Sequence, residues 1–189
     1  MIHLGDMVAD RIDLLARFSA TFGQDVWVHR TNGWTLIGLD AASFGKEAVN
    51  GLQTAWLRET LQGCDGPIGL FLHEPWFGDS AGREVPPAMR HHLEALFDGH
   101  DLCFVVKGYT HQIQPHPADD IGTGWVPAIG FAVPAAVEGD SRLVGLARLT
   151  LDRDGHRFDY VEVPGMPRLD PAEYVTAFAA PARRELAAA

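Results

Sequence analysis

The sequence predicts an α/β fold, a β-sandwich flanked by helices, in one domain spanning residues 1–189. Three observations carry that prediction. Short, continuous apolar runs at 68–72 and 102–106 read as strands buried on both faces. Helical periodicity lies before and between them, the alternation that crossover helices produce. From Trp125 onward the pattern becomes strand-only, which implies a second sheet packed against the first.

Each element follows from local pattern. Val8, Ile12, Leu15 and Phe18 recur at helical spacing, so a helix is expected over 8–22, stopped by Gly23. Residues 26–30 and 34–40 flank Asn32-Gly33, the strongest short hairpin signal. After a loop at 41–45, Val49, Leu52, Ala55, Trp56 and Leu57 mark a helix ending near Gly63. The strand at 68–72 leads into a linker, 73–87, rich in Gly, Pro and acidic residues and suited to a functional loop. Met89, Leu93, Leu96 and Phe97 build the next helix, with Gly99 near its end, and the strand at 102–106 follows. Strands are expected at 126–133, 143–151 and 158–163, with Asp154-Gly155 turning between the last two. A helix over 171–186 closes the chain.

Composition narrows the function. A hydrophobic fraction of 47% and a charged fraction of 21% describe a globular protein of 189 residues, long enough for a sizeable core. The net charge of −10 opposes a general electrostatic grip on nucleic acid or anionic lipid. An acidic protein can still handle a phosphorylated small molecule where bound metal ions reverse the local field. Cys64 and Cys103 have no metal-ligand spacing and are expected to be reduced. Neither a leader-like segment nor a membrane-length apolar run is evident, so a cytoplasmic location without membrane contact is expected.

Two histidines share one context. His73 directly follows the strand at 68–72, and His111 follows the strand at 102–106 across a Gly-containing turn. Ligands of open α/β sheets gather beyond the carboxyl ends of the strands, so neighbouring strands would put both histidines on one rim. Neutral imidazoles there suit a borderline divalent metal; turn-capping or half-buried histidines are the alternative.

Further motifs stand in order around them: Gly38-Leu39-Asp40, Gly45, Gln53 and Trp56-Leu57 in GLDAASFGKEAVNGLQTAWLRETL, His73-Glu74-Pro75 in LFLHEPWF, and Gly108-Tyr109-Thr110-His111 in VVKGYTHQ. This series resembles the calcineurin-like metallophosphoesterase family, with its Leu-Asp strand end, Gln-x-x-Trp-Leu helix, His-x-Pro loop and Gly-His-x-His loop. The resemblance covers about Asp6 to Val133 and rests on order and spacing together. It implies a β-sandwich flanked by helices, a divalent metal cofactor (Mn, Fe or Zn), and hydrolysis of a phosphomonoester or phosphodiester. His73 matches a ligand of the family's second metal and His111 a ligand of the first. No catalytic or substrate-binding residue is assigned.

Two departures weaken the implied chemistry. Tyr109 stands where the family has another histidine ligand, and a phenol with a pKa near ~10 stays protonated at neutral pH unless a metal displaces the proton. The stretch HLGDMVADRIDLLARF aligns with the end of a Gly-Asn-His-Asp element, Asp6 matching its aspartate while Leu4 and Gly5 replace Asn and His. The rival register makes Gly5-Asp6 the family's bridging Gly-Asp, with no Asn-His before the hairpin. The family's Asp-x-His strand is absent, so the fold is expected to be N-terminally shortened. Two histidines offer no negative charge to offset two dications, so weak or single-metal binding and little hydrolysis are expected. The alternative is a catalytically inactive binding or assembly module on the same fold. A shortened sheet would leave an exposed edge that invites homo-oligomers.

Other candidates carry less. His91-His92 lies in a helical pattern and reads as a solvated face. Gly45-Lys46 lacks the rest of a phosphate loop, and no Gly-x-Ser-x-Gly elbow occurs. His116 and His156 are expected in exposed loops or turns, Asp79 and Glu84 in solvent, and Trp76 and Phe77 as anchors of the 73–87 loop.

Overall fold

The computed structural model describes residues 20–21, 23–41, 47–74, 85–108, 115–116, 122–125, 145–153 and 155–165, with backbone alone at 47–50, 115–116 and 122–125. It is a mixed α/β structure. Strands β1 (Trp27–Thr31) and β2 (Trp34–Gly38) form the expected hairpin. Its two turn residues, Asn32 and Gly33, have φ of 50° and 82°. Positive φ at both positions matches the twist of the flanking strands, which is why Asn-Gly is favoured there.

The chain then alternates: helix α1 (Glu47–Gln62), strand β3 (Ile68–Phe71), helix α2 (Pro87–Phe97) and strand β4 (Leu102–Lys107). Pro87 opens α2 at a position whose N–H would have no helical partner anyway. Strands β2, β3 and β4 pair in parallel, and β4 pairs in parallel with β6 (Gly122–Trp125), on which β5 (Pro115–His116) lies antiparallel. The order of this six-stranded sheet is β1-β2-β3-β4-β6-β5.

Period-2 alternation divides the core between the two faces of the sheet. Ile37, Leu39, Ile68, Leu70, Leu72 and Val105 meet Leu57 and Leu61 of α1 and Leu93 and Phe97 of α2. Trp34, Leu36, Phe71, Phe104 and Val106 line the other face. A second sheet, β7 (Gly145–Leu151) antiparallel to β8 (His156–Glu162), packs Leu149, Leu151 and Phe158 onto that face. At Gly69 a Cβ would lie 2.1 Å from the Phe104 ring, so the ring reaches the sheet only because that position has no side chain.

Three expectations change. His156 was expected in an exposed turn; it opens β8, half-buried, because the ribbon lays it against Phe104. His116 was expected in a loop and belongs to β5. A parallel strand at Gly122–Trp125 precedes the point where strands were expected to resume. His91 and His92 are exposed, and both cysteines are free, as expected. The expected strand at 126–133, the closing helix at 171–186 and residues 8–19 of the first helix lie outside the described residues.

Candidate functional site

Three parallel strands end together at one rim, and hydrogen bonds carry their alignment past the strands themselves. The Leu39 N–H donates to the Phe71 carbonyl at 3.1 Å, and the Leu72 N–H to the Val106 carbonyl at 2.9 Å. One step further, the Gly108 N–H donates to the His73 carbonyl at 3.3 Å. The rim is therefore built from Asp40, His73 and Gly108, in strand order.

Gln53 fixes the first of these. Its side chain, 7% exposed on α1, accepts a hydrogen bond from the Asp40 N–H at 2.8 Å and donates to the Asp40 carbonyl at 3.2 Å. The amide thus does for residue 40 what a neighbouring strand would do, satisfying both main-chain groups where the ladder ends. The sequence showed Gln53 as a motif member but not this role. Its signal was a polar residue on the buried side of a helix, 13 positions after a strand-ending aspartate.

Two further groups at this end were not anticipated. Lys107 closes β4 and is 1% exposed; it interacts with neighbouring groups, as a buried ammonium must. Glu74 follows His73, and its Oε2 is buried without a hydrogen-bond partner, although the residue makes other interactions. An oxygen so placed is the kind of acceptor that a cation or an ordered water satisfies.

That oxygen and the half-buried His73 imidazole are chemically suitable for a divalent metal, but a catalytic centre needs about three protein ligands. Among the described residues no group of three or more His, Cys, Asp or Glu side chains stands within reach of one ion. On those donors alone no metal centre is complete. His111, Tyr109, Asp6, Asp79, Glu84, Trp76 and Phe77 lie outside the described residues.

Cysteine chemistry does not compete. Burial, then a hydrogen bond to Asp101 and its charge, push the Cys103 thiol up to about 11, so it stays protonated at neutral pH. A concavity of about 470 Å³ lies at the opposite end of β2, lined by Arg30, Asn32, Trp34, Asp65 and Gly66 among others. It is open and shares no residue with the rim. No described helix is long and apolar enough to cross a membrane.

No family model matches the chain, and no curated protein sequence does. Solved structures do resemble it. GAP50, the anchor in the inner membrane complex of Plasmodium, superposes with a TM-score of 0.57 at 10% identity, over 82% of this chain and 58% of that one. A Staphylococcus aureus protein assigned as a 5′-nucleotidase gives a TM-score of 0.37 at 13% identity, over 80% of this chain and 32% of that one. The sulfate thiohydrolase SoxB of Thermus thermophilus gives 0.37 at 15% identity, over 82% of this chain and 28% of that one. The chain thus spans less than two thirds of each neighbour's length. At these identities the likeness is one of fold, and of these three the GAP50 match carries it.

Proposed function

We propose that this chain is a calcineurin-like metallophosphoesterase domain: a β-sandwich flanked by helices that hydrolyses a phosphomonoester or phosphodiester in a metal-dependent reaction. The supporting observation is convergence. Gln53 of the Gln-x-x-Trp-Leu helix grips Asp40 of the Leu-Asp strand end, and Gly108 of the glycine-histidine loop donates to His73 of the His-x-Pro loop. Four motif pieces scattered over 70 residues of sequence thereby meet at one rim. His73 and His111 would hold the metal, Mn, Fe or Zn, which when bound supplies an activated water and charge for the phosphoryl oxygens. The thin ligand set makes the expected turnover slow.

A second reading has its own observation. GAP50, which superposes with a TM-score of 0.57, is named an anchor rather than an enzyme. On that reading the domain is a binding or assembly module, pairing through an exposed sheet edge. One experiment separates them. Metal-stripped protein is supplied with Zn²⁺ or Mn²⁺ at pH 7.5 and given an aryl phosphodiester. Slow, metal-dependent hydrolysis that disappears in His73→Ala supports the enzyme. Protein that binds metal yet releases no aryl product above buffer supports the module.

A further inference from the structure

The end of the sheet away from the rim carries a histidine in a different setting. His156 opens β8 and packs at a tilt against Phe104 of β4, ring centroids 4.5 Å apart, with Phe158 at 5.8 Å and Trp34 of β2 at 5.9 Å. Beside it the Trp34 Nε1–H donates to the Asp152 carbonyl at 2.9 Å, tying the ribbon turn to the sheet. We propose that His156 is an acid-sensitive latch: neutral, it packs the β7–β8 ribbon onto the aromatic face of the sheet, and protonated, it loosens the ribbon while the sheet stays folded.

The argument is one of competing effects. Aromatic faces attract a cation and would favour the imidazolium, whereas removal from water disfavours it. Burial wins, holding the imidazole below its ordinary value of 6.5. The elements around it bring little opposing charge. β2 offers no titratable side chain; exposed Asp101 precedes β4, whose own titratable groups are the protonated Cys103 thiol and Lys107 at its far end. Asp152 and Arg153 beyond β7 are exposed, and on β8 Arg157 pairs with Asp159 at 3.1 Å among exposed atoms. Asp154 lies in the turn, outside the described residues. With the folded pKa lowered, the latch is fully closed above about 6.5 and weakens as pH falls through that value toward the folded one.

Amide and indole hydrogen exchange at pH 7.5 and 5.0, corrected for intrinsic rates, tests this. In the wild type, opening of β7, β8 and the Trp34 indole should rise several-fold at pH 5.0 while β2, β3 and β4 stay protected. In His156→Phe the same probes should be unchanged. An equal rise in His156→Phe, or loss of protection in β2–β4 alongside the ribbon, overturns the latch. Should that variant fail to fold, an NMR titration of His156 in the wild type decides: a pKa below 6.5 supports the proposal, and one at or above it overturns it.

Discussion

His73 follows β3 at the rim of the six-stranded sheet, whereas His156 opens a strand of the second sheet and packs on the first sheet's aromatic face; their surroundings give the same side chain opposite prospects. His73 leaves β3 at the carboxyl end, among main-chain groups, a buried carboxylate oxygen and the buried Lys107. His156 lies over Phe104 beside the start of β3, where Gly69 leaves room for the Phe104 ring and Trp34 adds an indole. The first lies where the parallel strands end, beside the sites of Glu74 and Lys107, and its half-buried imidazole can be offered to a ligand. Rings pack against the half-buried second, and burial there disfavours charge. The lesson is that residue type nominates a site, while the end of the strand at which it lies decides what that site does.

The largest expected effect breaks the apolar end. Phe104 is fully buried and touches Trp34, Phe71, His156 and Phe158, so Phe104→Ala should cost about 3–5 kcal/mol in urea unfolding. A loss under about 1 kcal/mol would mean the ribbon does not pack there. Next comes the polar end. Gln53→Leu strips Asp40 of two hydrogen bonds at a buried position and should cost about 1–3 kcal/mol. Its exchange signature should be confined to the rim, and an effect spread evenly over the sheet would count against a local clamp.

Smaller effects sharpen the contrast. Unfolding free energy should fall between pH 7.5 and 5.0 by more in the wild type than in His156→Phe, because the unfolded chain takes up the proton more readily. Identical losses would remove His156 from the account. Last, Cys103 should resist iodoacetamide at pH 7.5 in the folded protein, its rate climbing as pH approaches about 11. Rapid alkylation at neutral pH would contradict the burial argued for the β4 end.

Much of the parallel core was legible because its signals are local. The Asn32-Gly33 turn, the apolar runs of β3 and β4 and the periodic stripes of both helices each follow from short-range sterics and burial. What failed to show depended on partners distant in sequence. GTGW at 122–125 has no apolar run, and it becomes a strand because β4 offers a parallel edge. Lys107 reads as the end of a strand by its charge, yet its register with Trp125 carries β4 through it. His156 beside a turn reads as exposed, and only the packing of two sheets covers it. At the rim, the histidines and the Gln53 motif could be named in advance. The Gln53–Asp40 clamp and the Glu74 oxygen could not, since both depend on where α1 and β3 come to rest.

The most direct test of the central claim is calorimetric titration of Mn²⁺ or Zn²⁺ into wild type, His73→Ala and His156→Phe proteins. The account predicts weak binding in the wild type, at least about tenfold weaker binding in His73→Ala, roughly 1.4 kcal/mol, and no change in His156→Phe. Equal affinity in all three, or no binding in any, would contradict a metal site at the carboxyl-end rim.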